Sequence, residues 1–397
     1  MAGFSRSWIV FAAMLVAAAL LFLRGESGVA YAQSAPTSCS TSSSTSTSTP
    51  VSTPTPTSTS TSTSTSISLL DSRSISFSSF STENPGGSAV TAAAPPPCPT
   101  GADSSAGSIN DVAKQRFNQM ITNRVLGTVL LGVNEQINCN DCISAFGSVG
   151  SFSAGVHGRK NITDNLALLA GLAYTHYGEN GYSVTSAPIG AVALRYDFTD
   201  WGSSRPFFDI GTILTPYEKV CYRRSYQTSL GAVTVDGNTT AENYAVYGRA
   251  GWIARISPRD EVAAAVEVWQ LWQRVKGYTD QSIALNPFDA AFNTGTDKTT
   301  LVKVGGQWTH LITNNLEGNI NGGYVQAFGT QSGVVAAVTG QGMVTPTIGN
   351  QGWFEYGGRL GFRISKGWVA DVFVNGTLGP QPVGNTAHGG IGLRINY

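Results

Sequence analysis

The chain has 397 residues with 24 basic and 24 acidic side chains, so it is formally neutral at pH 7. Only 12% of its residues are charged, about half of the ~25% that is typical of soluble globular domains. Neutrality argues against a nucleic-acid-binding protein, which needs a basic surface. Sparse charge, with 46 Gly, 17 Phe, 14 Tyr and 8 Trp, indicates a β-rich protein that is solvated in part by something other than water.

The N-terminus has the pattern of a secretory signal peptide. Arg6 precedes the apolar run Ile9–Leu23, and Ala30-Tyr31-Ala32 matches a small-x-small cleavage site. The apolar run is shorter than the ~20 residues that a membrane-spanning helix needs. We therefore predict a signal peptide over residues 1–32, and an uncleaved anchor is the alternative.

Residues 33–108 are predicted to be a disordered segment rich in Ser, Thr and Pro. Between Thr37 and Ser68 almost every residue is Ser or Thr, so this tract cannot bury enough apolar surface to offset the entropy of ordering it. Two interpretations remain open for the segment. It is either an exposed stalk or short passenger that could carry O-linked sugars, or an inert linker.

Residues 109–124 are predicted to form one amphipathic helix. We expect it in or near the lumen of the domain that follows, which is predicted below to be a barrel. Asn110 can cap the helix at its N-terminus. The helical period places an apolar stripe on one face, formed by Val112, Phe117, Met120 and Ile121. The remaining surface is polar and includes Lys114, Arg116, Gln119, Asn123 and Arg124.

After the helix, apolar residues recur at every second position, which is the period of a β-strand. Clear examples are Leu166–Tyr177, Tyr244–Ile256 and Phe354–Ile364. Runs of about ten to thirteen residues match tilted strands that cross a bilayer. The pattern predicts eleven strands from Ala145 onward and a weaker twelfth over Leu126–Ile137.

Short polar links alternate along the chain with longer, irregular ones. The longer links include Gly178–Thr185 and Tyr217–Glu242, which we predict to be loops. Outer-membrane barrels have the same alternation, because their periplasmic turns are short and their outer loops are long. Residues 125–397 are therefore predicted to form an all-β, antiparallel transmembrane barrel of about 12 strands.

The final strand carries the most specific pattern. Its outward side is predicted to be apolar and to end on the last residue of the chain: Ile391, Leu393, Ile395 and Tyr397. Together with the signal peptide, the helix and the strands, this ending resembles the translocator domain of bacterial autotransporters (type V secretion). The resemblance implies that these residues form the signal for the barrel-assembly machinery. It also implies insertion into outer-membrane lipid as a monomer.

Five cysteines remain after signal cleavage, at positions 39, 98, 139, 142 and 221. We interpret Cys139 and Cys142 as a small disulfide in an outer loop, with a redox pair or half of a metal site as less supported alternatives. Cys221 is predicted to lie in the outer loop Tyr217–Glu242. Either Cys39 or Cys98 could pair with it.

Catalytic, cofactor and metal sites are not predicted. The four histidines lie on separate strands, and the sequence does not place a carboxylate beside any of them. The inward-facing side of the strands instead carries charges of both signs, which predicts a cross-linked polar lumen. These predicted lumen charges are Arg195, Arg249, Arg255, Glu267, Lys303, Glu317, Glu355, Arg359, Arg363 and Asp371.

The favoured function is membrane insertion and display or export of the N-terminal segment, without catalysis. The first alternative is a small porin-like channel whose N-terminal tract stays in the periplasm. The second alternative is an outer-membrane barrel enzyme. In each case the barrel is expected in the bacterial outer membrane.

Overall fold

The computed structural model describes six stretches of the chain: residues 101–132, 141–149, 152–179, 181–200, 202–281 and 286–397. The predicted signal peptide and the Ser/Thr-rich tract up to residue 100 lie outside the described residues. So do three of the cysteines, Cys39, Cys98 and Cys139.

A 30-residue helix, α1 (Gly101–Leu130), precedes the strands. Twelve strands then form a closed barrel. They are β1 (Cys142–Val149), β2 (Phe152–Asn161), β3 (Leu166–Glu179), β4 (Tyr182–Asp197), β5 (Ser204–Thr228), β6 (Gly231–Ser257), β7 (Asp260–Val275), β10 (Gly295–Thr313), β11 (Leu316–Gln331), β14 (Gly352–Ser365), β15 (Trp368–Leu378) and β16 (Thr386–Asn396). A separate four-stranded sheet contains β8 (Tyr278–Thr279), β9 (Ala290–Phe292), β12 (Ala336–Val338) and β13 (Gly342–Val344).

Each barrel strand pairs antiparallel with its neighbours, and the last strand closes the barrel against the first. Cys142 of β1 lies opposite Asn396 of β16, and the register runs on to Val149 opposite Gly389. Closure leaves no strand edge with unpaired backbone groups, which is what a bilayer requires. The predicted twelve-stranded antiparallel barrel is confirmed.

The outer surface of the barrel is apolar, as the alternation predicts. Outward side chains in the middle of the strands are exposed, among them Leu172, Val268, Val304, Leu360 and Ile391. The inward positions between them are buried, as Arg359 beside Leu360 illustrates. Such an inside-out distribution is stable only where lipid covers the outer surface.

The two ends of the barrel differ. The short-turn end carries the links at residues 162–165, 258–259, 314–315 and 366–367, together with Cys142 and the C-terminal Tyr397. At the opposite, long-hairpin end, β5 and β6 continue as one paired hairpin up to Thr228 opposite Gly231. The two loops that contain the small sheet also leave the barrel at this end.

The expected first strand over Leu126–Ile137 is wrong. Leu126–Leu130 forms the last turn of α1, residues 133–137 lie outside the described residues, and the first described barrel strand begins at Cys142. The helix ends where Gly132 adopts a left-handed conformation with φ +56°, a common helix stop. Leu126 and Leu130 are buried, so their apolar side chains contact the core inside the barrel and not lipid.

The bounds of the predicted helix are also corrected. The helix starts at Gly101, eight residues before Ile109, and continues to Leu130. Gly101–Ser108 is therefore helical and not part of a disordered segment. None of the helices among the described residues is long and apolar enough to cross a membrane.

Three predicted outer loops are corrected as well. The segment Tyr217–Glu242 lies mostly in the β5–β6 hairpin, where Cys221 pairs with Asn238. Gly178–Thr185 is shortened to a tight link, because β3 runs to Glu179 and pairs there with Tyr182. Cys142 starts β1 at the short-turn end, so it does not lie in an outer loop. The proposed Cys139–Cys142 pairing stays a prediction, since Cys139 lies outside the described residues.

Candidate functional site: the helix inside the barrel

Helix α1 lies inside the barrel lumen and packs most closely against β5 and β4. The apolar Ile109 and Phe117 are almost completely buried, and so are the polar Gln119 and Arg124. Apart from the exposed Lys114, the predicted polar face is therefore not solvated, because it contacts the inner wall of the barrel. Each buried polar group of the helix then needs a partner on the wall.

At the long-hairpin end, Arg224 of β5 holds the first turns of the helix. Its guanidinium donates to the carbonyl oxygen of Ser105 at 3.2 Å and to the hydroxyl of Ser108 at 3.1 Å. It also pairs with Asp280 and donates to the carbonyl of Phe288 at 2.9 Å. Burial raises the pKa of the Asp280 carboxyl, and the positive charge of Arg224 opposes that shift. We call this group the outer clasp.

In the middle of the helix, two glutamates of the wall accept hydrogen bonds from four helix side chains. Glu218 of β5 accepts from Gln119 and, at 2.5 Å, from Asn123. Glu179 of β3 accepts from Asn118 at 2.7 Å and from Thr122 at 3.3 Å. Residues spaced three to four apart on a helix share a face, so each glutamate contacts one side of α1.

Two arginines of the helix form buried ion pairs on the side opposite β3. Arg116 donates to Asp297 of β10 at 2.7 Å and to the carbonyl of Gly295 at 3.2 Å. Arg124 pairs with Glu355 of β14, which Lys303 also approaches to 3.2 Å. Arg124 thus contacts Glu355, one of the predicted lumen charges. Lys114 instead pairs with Asp111 on the exposed helix surface at 3.0 Å.

Below the helix, toward the short-turn end, charged side chains of the barrel wall form ion pairs with one another. Arg359 bridges Glu317 and Asp371, at 2.8 Å in each case, and Arg394 donates to Glu317 at 2.7 Å. On the other side of the lumen, Arg249 pairs with Asp209. We call these groups the wall network, because every partner belongs to a barrel strand.

Most of the predicted lumen charges are buried inside the barrel. Arg195, Arg249, Glu267, Glu317, Arg359 and Asp371 are buried, while Lys303 and Glu355 are largely buried beside the helix. Arg255 and Arg363 have inward register but are exposed, because both lie within two residues of a short turn. These two arginines are therefore rim residues and not part of the polar lumen.

The sequence reasoning missed the residues that hold the helix most directly: Glu179, Glu218, Arg224, Asp280 and Asp297. The first three lie on strands that continue past the apolar band, in segments that were expected to be loops. An available signal was the alternation Tyr222, Arg224, Tyr226 in β5, whose members are all buried.

The space left around the lower half of the helix is small. The two cavities beside Val129 have volumes of about 40 Å³ and 20 Å³, room for only a few water molecules. The helix thus occludes the lumen at this level.

The C-terminal residues face outward as predicted. Ile391, Leu393 and Tyr397 are exposed, and Ile395 is half-buried. The backbone N–H of Tyr397 donates to the carbonyl of Asp141 at 3.1 Å, and the Lys160 ammonium lies 5.4 Å from the centre of its ring. The end of the chain is thus attached to the start of β1. Its role in assembly stays a prediction.

Two histidines do lie near carboxylates, contrary to the sequence-based expectation. His310 lies 2.8 Å from Asp260 at the short-turn end, and His388 lies 4.0 Å from Glu179 inside the barrel. Hydrogen bonds from Ser257 and His310 hold the pKa of the Asp260 carboxyl below its usual range. Ser257 donates to Asp260 itself at 2.6 Å, so this group does not have the order of a nucleophile–base–acid triad.

Within the described part of the chain, no three His, Cys, Asp or Glu side chains come together as metal ligands. No family model matches the sequence, and no curated protein matches it either.

Among solved structures, the chain is similar in fold to several barrels. The translocator domain of the autotransporter NalP from Neisseria meningitidis has a TM-score of 0.48 at 10% identity, over 73% of this chain and 99% of that one. The beta domain of the Bordetella autotransporter BrkA has a TM-score of 0.39 at 13% identity, over 66% and 100%. The NanC porin has a TM-score of 0.34 at 9% identity, over 65% and 98%. The chain folds into a closed twelve-stranded β-barrel, and the structures to which it is similar include autotransporter domains and a porin.

Proposed function

We propose that the chain is an outer-membrane translocator that exports its own N-terminal segment and is then closed by α1. The observation that carries this proposal is the direction of the helix inside the barrel. Its first turns are held at the long-hairpin end, where the backbone N–H of Gln227 donates to Ser104 at 2.9 Å. The first barrel strand after the helix, β1, starts with Cys142 at the short-turn end.

This direction supports export of the N-terminal segment over its retention in the periplasm. In outer-membrane barrels the short turns face the periplasm and the long connections face outward. A helix that begins at the long-hairpin end therefore supports a position at the cell surface for the residues before Gly101. Because α1 and the barrel belong to one chain, the exported segment stays attached unless the helix is cut.

The porin-like alternative draws support from the charged side chains that line the lumen in the wall network, such as Arg359 and Asp371. The packing of α1 opposes it. The helix forms buried hydrogen bonds or ion pairs with β3, β5, β10 and β14. If the helix left the lumen, several buried charged groups would lose their partners, at a high cost in free energy. An enzyme is supported less, because the exposed Asp260–His310 pair lacks an aligned nucleophile.

Surface proteolysis tests the direction of export. An epitope inserted between residues 68 and 69 should be lost when intact cells are treated with protease, while the barrel stays whole. The same epitope inserted in the turn at residues 314–315 is the matched control, and it should be protected until the outer membrane is permeabilised. Protection of both epitopes in intact cells would contradict export.

Conductance in planar bilayers tests the closure of the lumen. The full mature chain should conduct poorly, since a helix with its side chains is about 10–12 Å wide. A chain that begins at Gly132 lacks α1 and should show larger and steadier conductance. Equal conductance of the two proteins would favour the channel over the translocator.

A further inference from the structure

A polar chamber lies beside the helix at the long-hairpin end, on the side away from the outer clasp. It has a volume of about 240 Å³ and is lined by the end of β3, the helix residue Asn118, the β15–β16 loop and the start of β16. This volume corresponds to roughly eight water molecules at liquid density. It is several times larger than the cavities lower in the lumen.

The charge that lines this chamber lacks a permanent cationic partner. The carboxylate of Glu179 is largely buried, yet among the described residues neither an Arg nor a Lys forms an ion pair with it. Burial raises the pKa of the Glu179 carboxyl above its usual range, while its protein donors, the Asn118 amide and the Thr122 hydroxyl, favour the ionised form. Asp371, which lines a smaller cavity lower in the lumen, pairs with the guanidinium of Arg359. A cation that entered the chamber beside Glu179 would stabilise the ionised carboxylate in the same way.

The second wall of the chamber also has an unused polar atom. His388 is 9% exposed, and its Nδ1 is buried with no hydrogen-bond partner. Its Nε2 lies 4.0 Å from Glu179. The β15–β16 loop adds buried apolar surface from Pro382 and Val383. The chamber thus offers one negative charge beside an apolar wall.

We propose that this chamber binds a short aliphatic amine, with the ammonium group on Glu179 and the alkyl part against Pro382 and Val383. An ammonium donates hydrogen bonds to the lone pairs of the carboxylate that Asn118 and Thr122 leave open. A metal ion fits less well, because no third His, Cys, Asp or Glu among the described residues joins Glu179 and His388. The site is independent of export, since it needs only the assembled barrel with its helix.

Calorimetric titration of the full mature protein in detergent with putrescine, a four-carbon diamine, tests this site. Wild-type protein should bind, and Glu179→Gln should bind at least about tenfold more weakly, the value expected for loss of one charge-assisted hydrogen bond. Glu242→Gln removes the same charge from β6, outside the chamber lining, and should bind like the wild type. Heat-modifiable migration on a cold denaturing gel reports whether each variant is folded.

A second variant covers the case in which Glu179→Gln does not fold. Gln381 is exposed on the loop that lines the chamber, so Gln381→Trp should fill the chamber, leave the carboxylate in place and weaken binding of putrescine. The proposal is overturned if wild-type protein does not bind putrescine, if folded Glu179→Gln binds it equally well, or if Gln381→Trp leaves the affinity unchanged. Binding of Mg²⁺ to Glu179 without binding of putrescine would also overturn it.

Discussion

The two halves of the lumen differ in which part of the chain pairs with their buried charges. In the short-turn half, the wall network pairs Arg359 with Glu317 and Asp371, so both partners of each ion pair lie on barrel strands. In the long-hairpin half, carboxylates such as Glu218 and Asp297 bond to side chains of α1. The ion pairs of the first half therefore form without the helix, whereas the carboxylates Glu218 and Asp297 of the second half depend on it for their partners. The comparison separates the part of the lumen whose charges pair between strands from the part whose charges bond to α1.

Breaking the wall network should have the largest effect. Arg359→Leu leaves Glu317 and Asp371 without the guanidinium that joins them, which should cost about 3–5 kcal/mol of barrel stability. Side-chain alternation alone predicts a mild change, because Arg359 faces the lumen and not the lipid. The measurement is urea unfolding of the protein refolded into lipid bilayers. Arg363→Leu, at the exposed rim of the same strand, is the control and should change stability by less than about 0.5 kcal/mol.

A charge on the lipid side of the same strand should have the next largest effect. Leu360 is 53% exposed on the outer surface, so Leu360→Arg places a charge in the bilayer and should cost about 2–4 kcal/mol. The same unfolding experiment measures the loss, with Leu360→Met as the apolar control. If Leu360→Arg unfolded at the same urea concentration as the control, the assignment of inner and outer faces would be wrong.

In the long-hairpin half, loosening the outer clasp should affect the helix more than the barrel. Arg224→Met removes the donors to Ser105 and Ser108 and leaves Asp280 buried without its partner, a local loss of about 1–3 kcal/mol. Hydrogen exchange of the amides of Ser105–Ala113 should therefore accelerate, while exchange in β14–β16 stays as in the wild type. Arg223→Met is the matched control, since Arg223 lies on the exposed side of the same strand. Equal exchange in both variants would mean that Arg224 does not hold the helix.

The smallest expected effect concerns the contact where the helix meets the wall. A Cβ at Gly171 would lie 2.5 Å from the carbonyl oxygen of Leu130, so Gly171→Ala must displace the end of α1. We expect a loss of about 1 kcal/mol, measured by thermal unfolding of the full mature chain. Gly248→Ala is the control, because a Cβ there meets nothing within 4 Å. The difference between the two variants should shrink in a chain that begins at Gly132, where only the contact of the new Cβ with His157 at 3.0 Å remains.

The sequence predicts the membrane-spanning part of this fold well and the rest poorly, for a physical reason. Inside the bilayer one side of each strand faces lipid and the other faces the polar lumen, so Leu360 and Arg359 alternate clearly. Beyond the bilayer both sides of a strand tolerate polar residues. The extension of β5 past Tyr217 therefore resembled a loop, and the glutamate that holds the helix, Glu218, was overlooked.

The helix was predicted in part for a related reason. Its centre has a helical period, but its last turn, around Leu126 and Leu130, is apolar and contains Val125 and Val129. Such residues suit a strand as well as a helix end when the partner surface is not known. Only the closed barrel supplies that partner, since it surrounds α1 with a wall that accepts apolar and polar groups alike.

Because α1 and the barrel are one covalent chain, the number of Ser/Thr-rich segments at the cell surface is tied to the number of barrels. Under the proposed function each barrel serves a single chain, because the helix that follows the exported segment remains in the lumen. Export is then a single-turnover event without a free carrier, and the density of the Ser/Thr-rich tract on the cell rises one for one with the number of assembled barrels. A cell could adjust that density only by making or removing whole proteins.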